Sequence, residues 1–248
     1  VPYAEDKFLL TFRDVSQLDK LDKMRQDFVA NVSHELKTPL TVLFGYLETI
    51  SVDNSMGFDK KIIDEMLKQA KRMDTLISDL LKLTKLQTTN IPDKKFSIIN
   101  LEEIINELVT SFDKKSKINK NEIKFSISNK LYIRGVYEEI YSAFSNLVNN
   151  AIMYSEKGTN IEIQCSSSEN GEIVFSVKDY GVGIPPEDID RITERFYRVD
   201  KGRSREQGGT GLGLSIVKHI LIRHGARLEV SSEPDVGSQF TCIFPKAN

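Results

Sequence analysis

Apolar residues recur at helical spacing through the first third of the chain and at alternating spacing through much of the rest. Phe28, Val32, Leu36, Leu40, Leu43, Leu47 and Ile50 fall on one stripe of a helix turning about 100° per residue. Leu18, Leu21 and Met24 lead into that stripe without a break, after a strand-like run from Phe8 to Phe12. The turn-rich "SVDNSMG" ends it, and Ile62, Met66, Ala70, Met73, Ile77 and Leu80 make a second helical stripe. Two long helices joined by a short turn predict an antiparallel hairpin. One hairpin cannot bury a two-sided apolar surface, so pairing with a second copy into a four-helix bundle is expected. A lone strand is not stable, and residues 1–14 therefore read as the trimmed end of an upstream domain.

"QTTNIPDKK" breaks the helical period, and Pro92 marks residues 90–96 as a linker between the hairpin (15–89) and a second domain (97–248). There, strand-like "KFSII" precedes a helix whose Asn100 and Glu103 have capping-box spacing. "EIKFSI" and "KLYIRG" predict strands, followed by a helix from about Glu138 to Tyr154. "NIEIQCSS" and "EIVFSVKD" alternate, a helix spans about Leu212 to His224, and "RLEVSSE" and "SQFTCIF" close the chain as strands. The order predicts a mixed sheet covered on one face by helices, and an α+β chain as a whole.

Composition narrows the function. The chain has 248 residues, 40% hydrophobic and 28% charged, with a net charge of −2. That length suits one large domain or two ordinary ones, and the charge balance argues against a nucleic-acid binder. Cys165 and Cys242 lie far apart in strand-like segments, outside any metal or redox motif, and read as buried thiols in a reducing compartment. No apolar run reaches the roughly 18 residues that a membrane span needs. A membrane-anchored parent protein is compatible with that.

The chemistry begins where the helical pattern is interrupted by "SHELKTP". His34 falls opposite the apolar stripe, Thr38 lies one turn later on nearly the same side, and Glu35 is its neighbour. Pro39 removes one intrahelical bond, and a local bend is expected there. A neutral imidazole is a nitrogen nucleophile, and an adjacent carboxylate can take its proton. In the second domain "SNLVNNAIMYS" sets Asn146, Asn150 and Tyr154 one turn apart on one helix face. "DYGVGIP" puts Asp179 at a strand end before glycines that admit a ligand to the backbone. "GGTGLGLSIVKHI" runs a glycine-rich loop into a helix amino terminus, where free N–H groups hold phosphate. It fits neither a dinucleotide fingerprint nor a Walker loop, which would carry lysine. His219 and His224 read as favourably placed charges near a helix end, without chemistry.

These segments resemble the boxes of bacterial sensor histidine kinases over nearly the whole chain. "FVANVSHELKTPL" resembles the H box, "NLVNNAIMYS" the N box, "DYGVGIP" the first glycine box, "ERFYR" the F box, "GGTGLGLSIV" the second glycine box and "GSQFT" the last. "ITERFYRVDKGRSREQGGTGLGLSIVKHI" and "SHELKTPLTVLFGYLE" are most similar to phosphate-regulon sensor kinases of the PhoR type. The resemblance implies a dimeric phosphoacceptor bundle, preceded by a PAS-like sensor domain and followed by an ATP-binding α/β sandwich of the Bergerat type. His34 would be phosphorylated, with Glu35 and Thr38 assisting. Asn150 would ligate Mg²⁺, Asn146 would line the phosphate side, and Asp179 would accept the adenine amino group. Tyr154 would line the base pocket, Gly181 and Gly183 would admit the nucleotide, and Thr241 would belong to the same set. Gly209, Thr210, Gly211, Leu212 and Gly213 would form the phosphate-side loop, beside a lid from Arg198 to Gly208. Relatives often carry lysine where this chain has Met153, which leaves Arg198 or Lys201 as the cationic phosphate contact.

The implied activity is ATP-dependent autophosphorylation of His34, phosphotransfer to an aspartate of a PhoB-like response regulator, and regulator dephosphorylation. Phosphate-starvation signalling from the cytoplasmic portion of an inner-membrane protein is the implied setting. Two other readings are a dimer-clamping ATPase and a non-catalytic scaffold. Against the ATPase, Asn146 stands where gyrase and chaperone relatives carry a glutamate base.

Overall fold

The computed structural model describes residues 2–4, 7–8, 31–33, 35–48, 50, 60–89, 91–92, 95–118, 121–128, 131–199 and 209–246. They fall into two compact units, Val1–Met73 and Asp74–Asn248.

The first unit opens with two short antiparallel strands, β1 (Pro2–Ala4) and β2 (Lys7–Phe8). The rest of the strand-like run to Phe12 lies outside the described residues. Helix α1 covers the described residues of 31–50, and 35–48 remain helical through Pro39, which is itself buried. Helix α2 (Lys60–Thr88) begins in this unit and ends in the next. The α1 stripe is only partly covered: Leu40 and Leu47 are exposed, as are Val42 and Phe44 beside them.

In the second unit the buried side of α2 carries Leu76, Leu83 and Leu86, and Ile77, predicted on the apolar stripe, is exposed. Leu83 and Leu86 enter the same core as the sheet and its helices. Strands β3 (Ser97–Asn100) and β5 (Tyr132–Gly135) pair antiparallel in a small separate sheet. Between them lie helix α3 (Leu101–Ile118) and β4 (Glu122–Ile127). The Asn100 carboxamide oxygen accepts the Glu102 amide at 3.1 Å, the helix cap that its spacing predicts. Helix α4 (Tyr137–Tyr154), β6 (Asn160–Ser167) and β7 (Ile173–Asp179) follow. A single helical turn, α5 (Pro186–Ile189), precedes α6 (Gly213–Arg223), β8 (Arg227–Glu233) and β9 (Gly237–Phe244).

The main sheet has the order β4-β6-β7-β9-β8, parallel at β4–β6 and antiparallel elsewhere. Register decides what each face carries, because successive strand residues point to opposite sides. Ile163, Val177, Phe240 and Val230 share a row, as do Cys165, Phe175, Cys242 and Leu228. This is the face that the helices cover: Phe144 of α4 stacks on Phe175 with ring centroids 3.6 Å apart and meets Phe244 edge-on at 6.0 Å. Cys165 and Cys242 are free thiols on that buried face. Burial pushes the Cys165 thiol up to about 12, and Cys242 also upward, so neither is a nucleophile at neutral pH.

Candidate functional site

Asp179 ends β7 on the helix-covered face and is 3% exposed. Its Oδ1 accepts the Gly181 amide at 3.1 Å. Burial pushes its carboxyl up to about 6, although backbone hydrogen bonds from Gly181 and Ser238 pull the other way. Gly181 is bridged to Ser155 just beyond α4, and a Cβ on it would lie 2.0 Å from the Tyr154 carbonyl oxygen. No other residue permits that approach. Gly183, with φ +66°, lies equally close to the Glu233 carbonyl. The first glycine box is thus wedged between the end of α4 and the β8–β9 turn.

The N-box helix supplies the adjoining wall. α4 buries Ile140, Ala143, Phe144, Leu147, Val148, Ala151 and Ile152, which leaves Asn146, Asn150 and Tyr154 on its half-buried side. Asn146 donates to the Ser142 carbonyl at 2.9 Å, and its Oδ1 lies against Gly213, where a Cβ would come within 2.9 Å. N box and second glycine box, 67 residues apart in the sequence, therefore meet.

The glycine loop is held by its own side chains and by the F box. Phe196, itself at φ 63°, donates its amide to the Gly211 carbonyl at 2.8 Å. Gly211 adopts φ +71° with Phe196 and Arg198 packed against it. Arg198 Nη2 donates to the Gly209 carbonyl at 2.7 Å, so this guanidinium braces the loop. Thr210 is buried; its hydroxyl accepts the Leu212 amide at 3.3 Å and donates to Asp79 at 2.8 Å. Leu212 is buried, and its carbonyl accepts the Ile216 amide and the Ser215 hydroxyl, opening α6. Lys201 lies outside the described residues.

Thr241 is not brought to this cradle. It pairs with Ser176 and Glu229, one residue out of phase with Phe175, Phe240 and Cys242, and so points to the opposite face of the sheet from Asp179. Ser238 stands opposite Asp179 instead, with its hydroxyl 2.9 Å from that of Ser232. Strand parity was the signal available in the sequence: residues 238, 240, 242 and 244 share a face, and 241 does not.

His219 and His224 also depart from expectation. Burial lowers both imidazoles below their usual value, so neither supplies charge to the end of α6. The His224 ring joins the Ile220 carbonyl through Nδ1 (2.7 Å) and accepts the Val136 amide at Nε2 (3.1 Å), tying the end of α6 to the start of α4. His219 Nε2 lies 2.9 Å from Gln87 Nε2. Arg223 is the cation of the last turn; it pairs with Glu139 at 3.2 Å and caps the Leu86 and Thr89 carbonyls.

In the first unit His34 lies outside the described residues. Its neighbour Glu35 pairs with Arg72 of α2 at 3.2 Å, with side chains only 12% and 11% exposed. Arg72 was not singled out in the sequence, where it sits inside the polar pattern of α2. Thr38 is half-buried one turn from the histidine position, beside Pro39.

The second-unit cradle suits a nucleotide with its metal. Asp179 is a buried acceptor facing backbone donors, the glycine boxes lie in close contact with the end of α4, the β8–β9 turn and Asn146, and Asn150 makes no side-chain hydrogen bond among the described residues. Residues 135–248 match the histidine kinase-, DNA gyrase B- and HSP90-like ATPase family, and residues 24–89 match the His Kinase A (phospho-acceptor) domain. The chain belongs to the histidine kinases. Among curated histidine-kinase relatives, the phosphate regulon sensor protein PhoR of Pseudomonas aeruginosa is 43% identical over 99% of this chain, and that of Haemophilus influenzae is 42% identical over 98%. The chain spans 55% and 57% of those two proteins. The crystal structure of histidine kinase ThkA in complex with response regulator protein TrrA shares the fold, with a TM-score of 0.72 at 22% identity over 96% of this chain and 68% of that one. The chain thus carries a phospho-acceptor domain of the histidine kinase type followed by an ATPase-family domain. Among its described residues no helix is long and apolar enough to cross a membrane.

Proposed function

We propose that the chain transfers the γ-phosphoryl group of ATP to His34 and then to an aspartate of a response regulator. The observation that carries this reading is the buried Asp179 carboxylate, walled by Gly181 and the end of α4, in a chain that also contains the "SHELKTP" helix. Asp179 would accept the adenine amino group, Tyr154 would line the base, and the loop from Gly209 to Gly213 would face the phosphates. Asn150 would hold Mg²⁺, which offsets phosphate charge when bound. A ring nitrogen of His34 would attack the γ-phosphorus, the bond to the β–γ bridging oxygen would break, and ADP would leave. Glu35, oriented by Arg72, would take the imidazole proton. Thr38, with a hydroxyl that both donates and accepts, would orient water toward the regulator's phospho-aspartate in the reverse function.

The high identity to two PhoR proteins supports phosphate-starvation signalling with a PhoB-like partner, in a membrane-anchored parent. The exposed Leu40, Phe44, Leu47, Ile63 and Leu67 support a homodimer through the helical hairpin. The clamping-ATPase alternative needs a water-activating carboxylate near the N box, and the Asn146 amide stands there instead. Incubation with γ-labelled ATP separates the readings. Acid-labile label on the protein supports the kinase, released phosphate without label supports the ATPase, and neither supports a scaffold.

A further inference from the structure

The ATP-binding unit is not built from its own sheet and helices alone. The last turns of α2, from Asp74 onward, are docked on it at several points. Leu83 and Leu86 enter its core, Lys82 Nζ meets the buried Ser142 hydroxyl at 2.5 Å, and Arg223 caps the final α2 carbonyls. One contact differs from the others because it ends on the phosphate-side loop. Asp79 Oδ2 accepts the Thr210 hydroxyl at 2.8 Å. Thr210 has one proton, already given to Asp79, and its oxygen already accepts the Leu212 amide at the entry to α6.

We propose that Asp79 is a positioning residue of the phosphate-side loop, and that through it a bound triphosphate and the docked end of α2 exclude one another. The proposal rests on the nucleotide site assigned above. A carboxylate one hydroxyl away from the loop and a polyphosphate on that loop are like charges at short range, in surroundings that screen less than water. Burial pushes the Asp79 carboxyl up, while the Thr210 bond and then Lys82, three residues on, pull it down, and the Lys82 ammonium is already bonded to Ser142. When phosphates take the loop, Thr210 must release Asp79, and the docked helix loses the one contact that senses the ligand. Nucleotide loading would then free α2, the helix that pairs with the phosphoacceptor helix through Arg72 and Glu35.

The test uses the whole 248-residue chain. Asp79→Asn keeps the shape and removes the charge, so its effect should grade with ligand charge. It should bind the Mg²⁺ complex of the non-hydrolysable analogue AMP-PNP roughly tenfold more tightly than wild type, ADP by less, and adenosine equally. In the wild-type chain, amide hydrogen exchange across residues 75–88 should rise when AMP-PNP is added and stay constant with adenosine. Unchanged AMP-PNP affinity in the variant, an equal gain for adenosine, or exchange that AMP-PNP leaves untouched overturns the proposal. If the wild-type chain fails to bind AMP-PNP at all, the nucleotide site itself falls with it.

Discussion

Asp179 is destabilising as an anion in the free domain and needed as one for the ligand. Its carboxyl is raised from 3.8 to about 6 by burial, so the fold prefers the protonated form. The group's contribution to stability is therefore fullest below the unfolded value and is lost as pH rises through the folded one. At pH 7.5 the cost is about 3 kcal/mol. Asp179→Asn should thus melt several degrees above wild type at pH 7.5, with the stability difference shrinking by about half at pH 5, while ATP binding is lost. Calorimetry across pH together with nucleotide titration checks both signs; a variant that melts lower yet binds ATP normally contradicts the assignment. Glu35 makes a second prediction at this scale. Arg72→Met takes the guanidinium away from a nearly buried carboxylate. The variant should autophosphorylate more slowly, Arg72→Lys should recover part of the rate, and Glu35→Ala should lose about 10²- to 10⁴-fold. Initial labelling rates at saturating ATP measure all three, and a wild-type rate in Glu35→Ala reduces the pair to a structural role.

Elements were legible wherever period and punctuation agreed. The alternating runs at β4, β6, β7, β8 and β9 all formed strands, and Asn100 capped α3 as its spacing required. Three features were hidden for physical reasons. α5 is one turn long, too short for a period to show. Parity sets Thr241 apart from Phe240 and Cys242, but which of the two faces carries Asp179 follows from register with β7, a relation between segments that the local pattern does not contain. Ile77 lost its place to Leu76, Leu83 and Leu86 because the end of α2 packs on a different partner from its beginning. The role of His224 is hidden for a similar reason: its polar partner, the Val136 amide, lies 88 residues away. That link between α6 and α4 makes a prediction for the two helices. The His224 pKa is lowered in the fold, so the stability it contributes is present above the usual imidazole value and lost as pH falls through the folded one. His224→Phe should cost about 1–3 kcal/mol at pH 7.5, since the Val136 amide loses its acceptor. Between pH 6.5 and 5 the wild type should lose stability faster than the variant in chemical denaturation. Parallel pH curves contradict a neutral, hydrogen-bonded His224.

For the whole molecule, the proposed labour divides between two compact units. One carries the phosphoacceptor helix, with Glu35 paired to Arg72, and the other a nucleotide cradle of Asp179, the N-box asparagines and the second glycine box. His34 has no part in the cradle as proposed, so acceptor and nucleotide functions should separate cleanly by mutation. The direct measurement pairs covalent labelling by γ-labelled ATP with the ATP dissociation constant in wild type and His34→Ala. Acid-labile label is expected on the wild type, none on the variant, and equal ATP affinity for both. Acid-labile label persisting on His34→Ala, or loss of ATP binding along with the label, would contradict that separation.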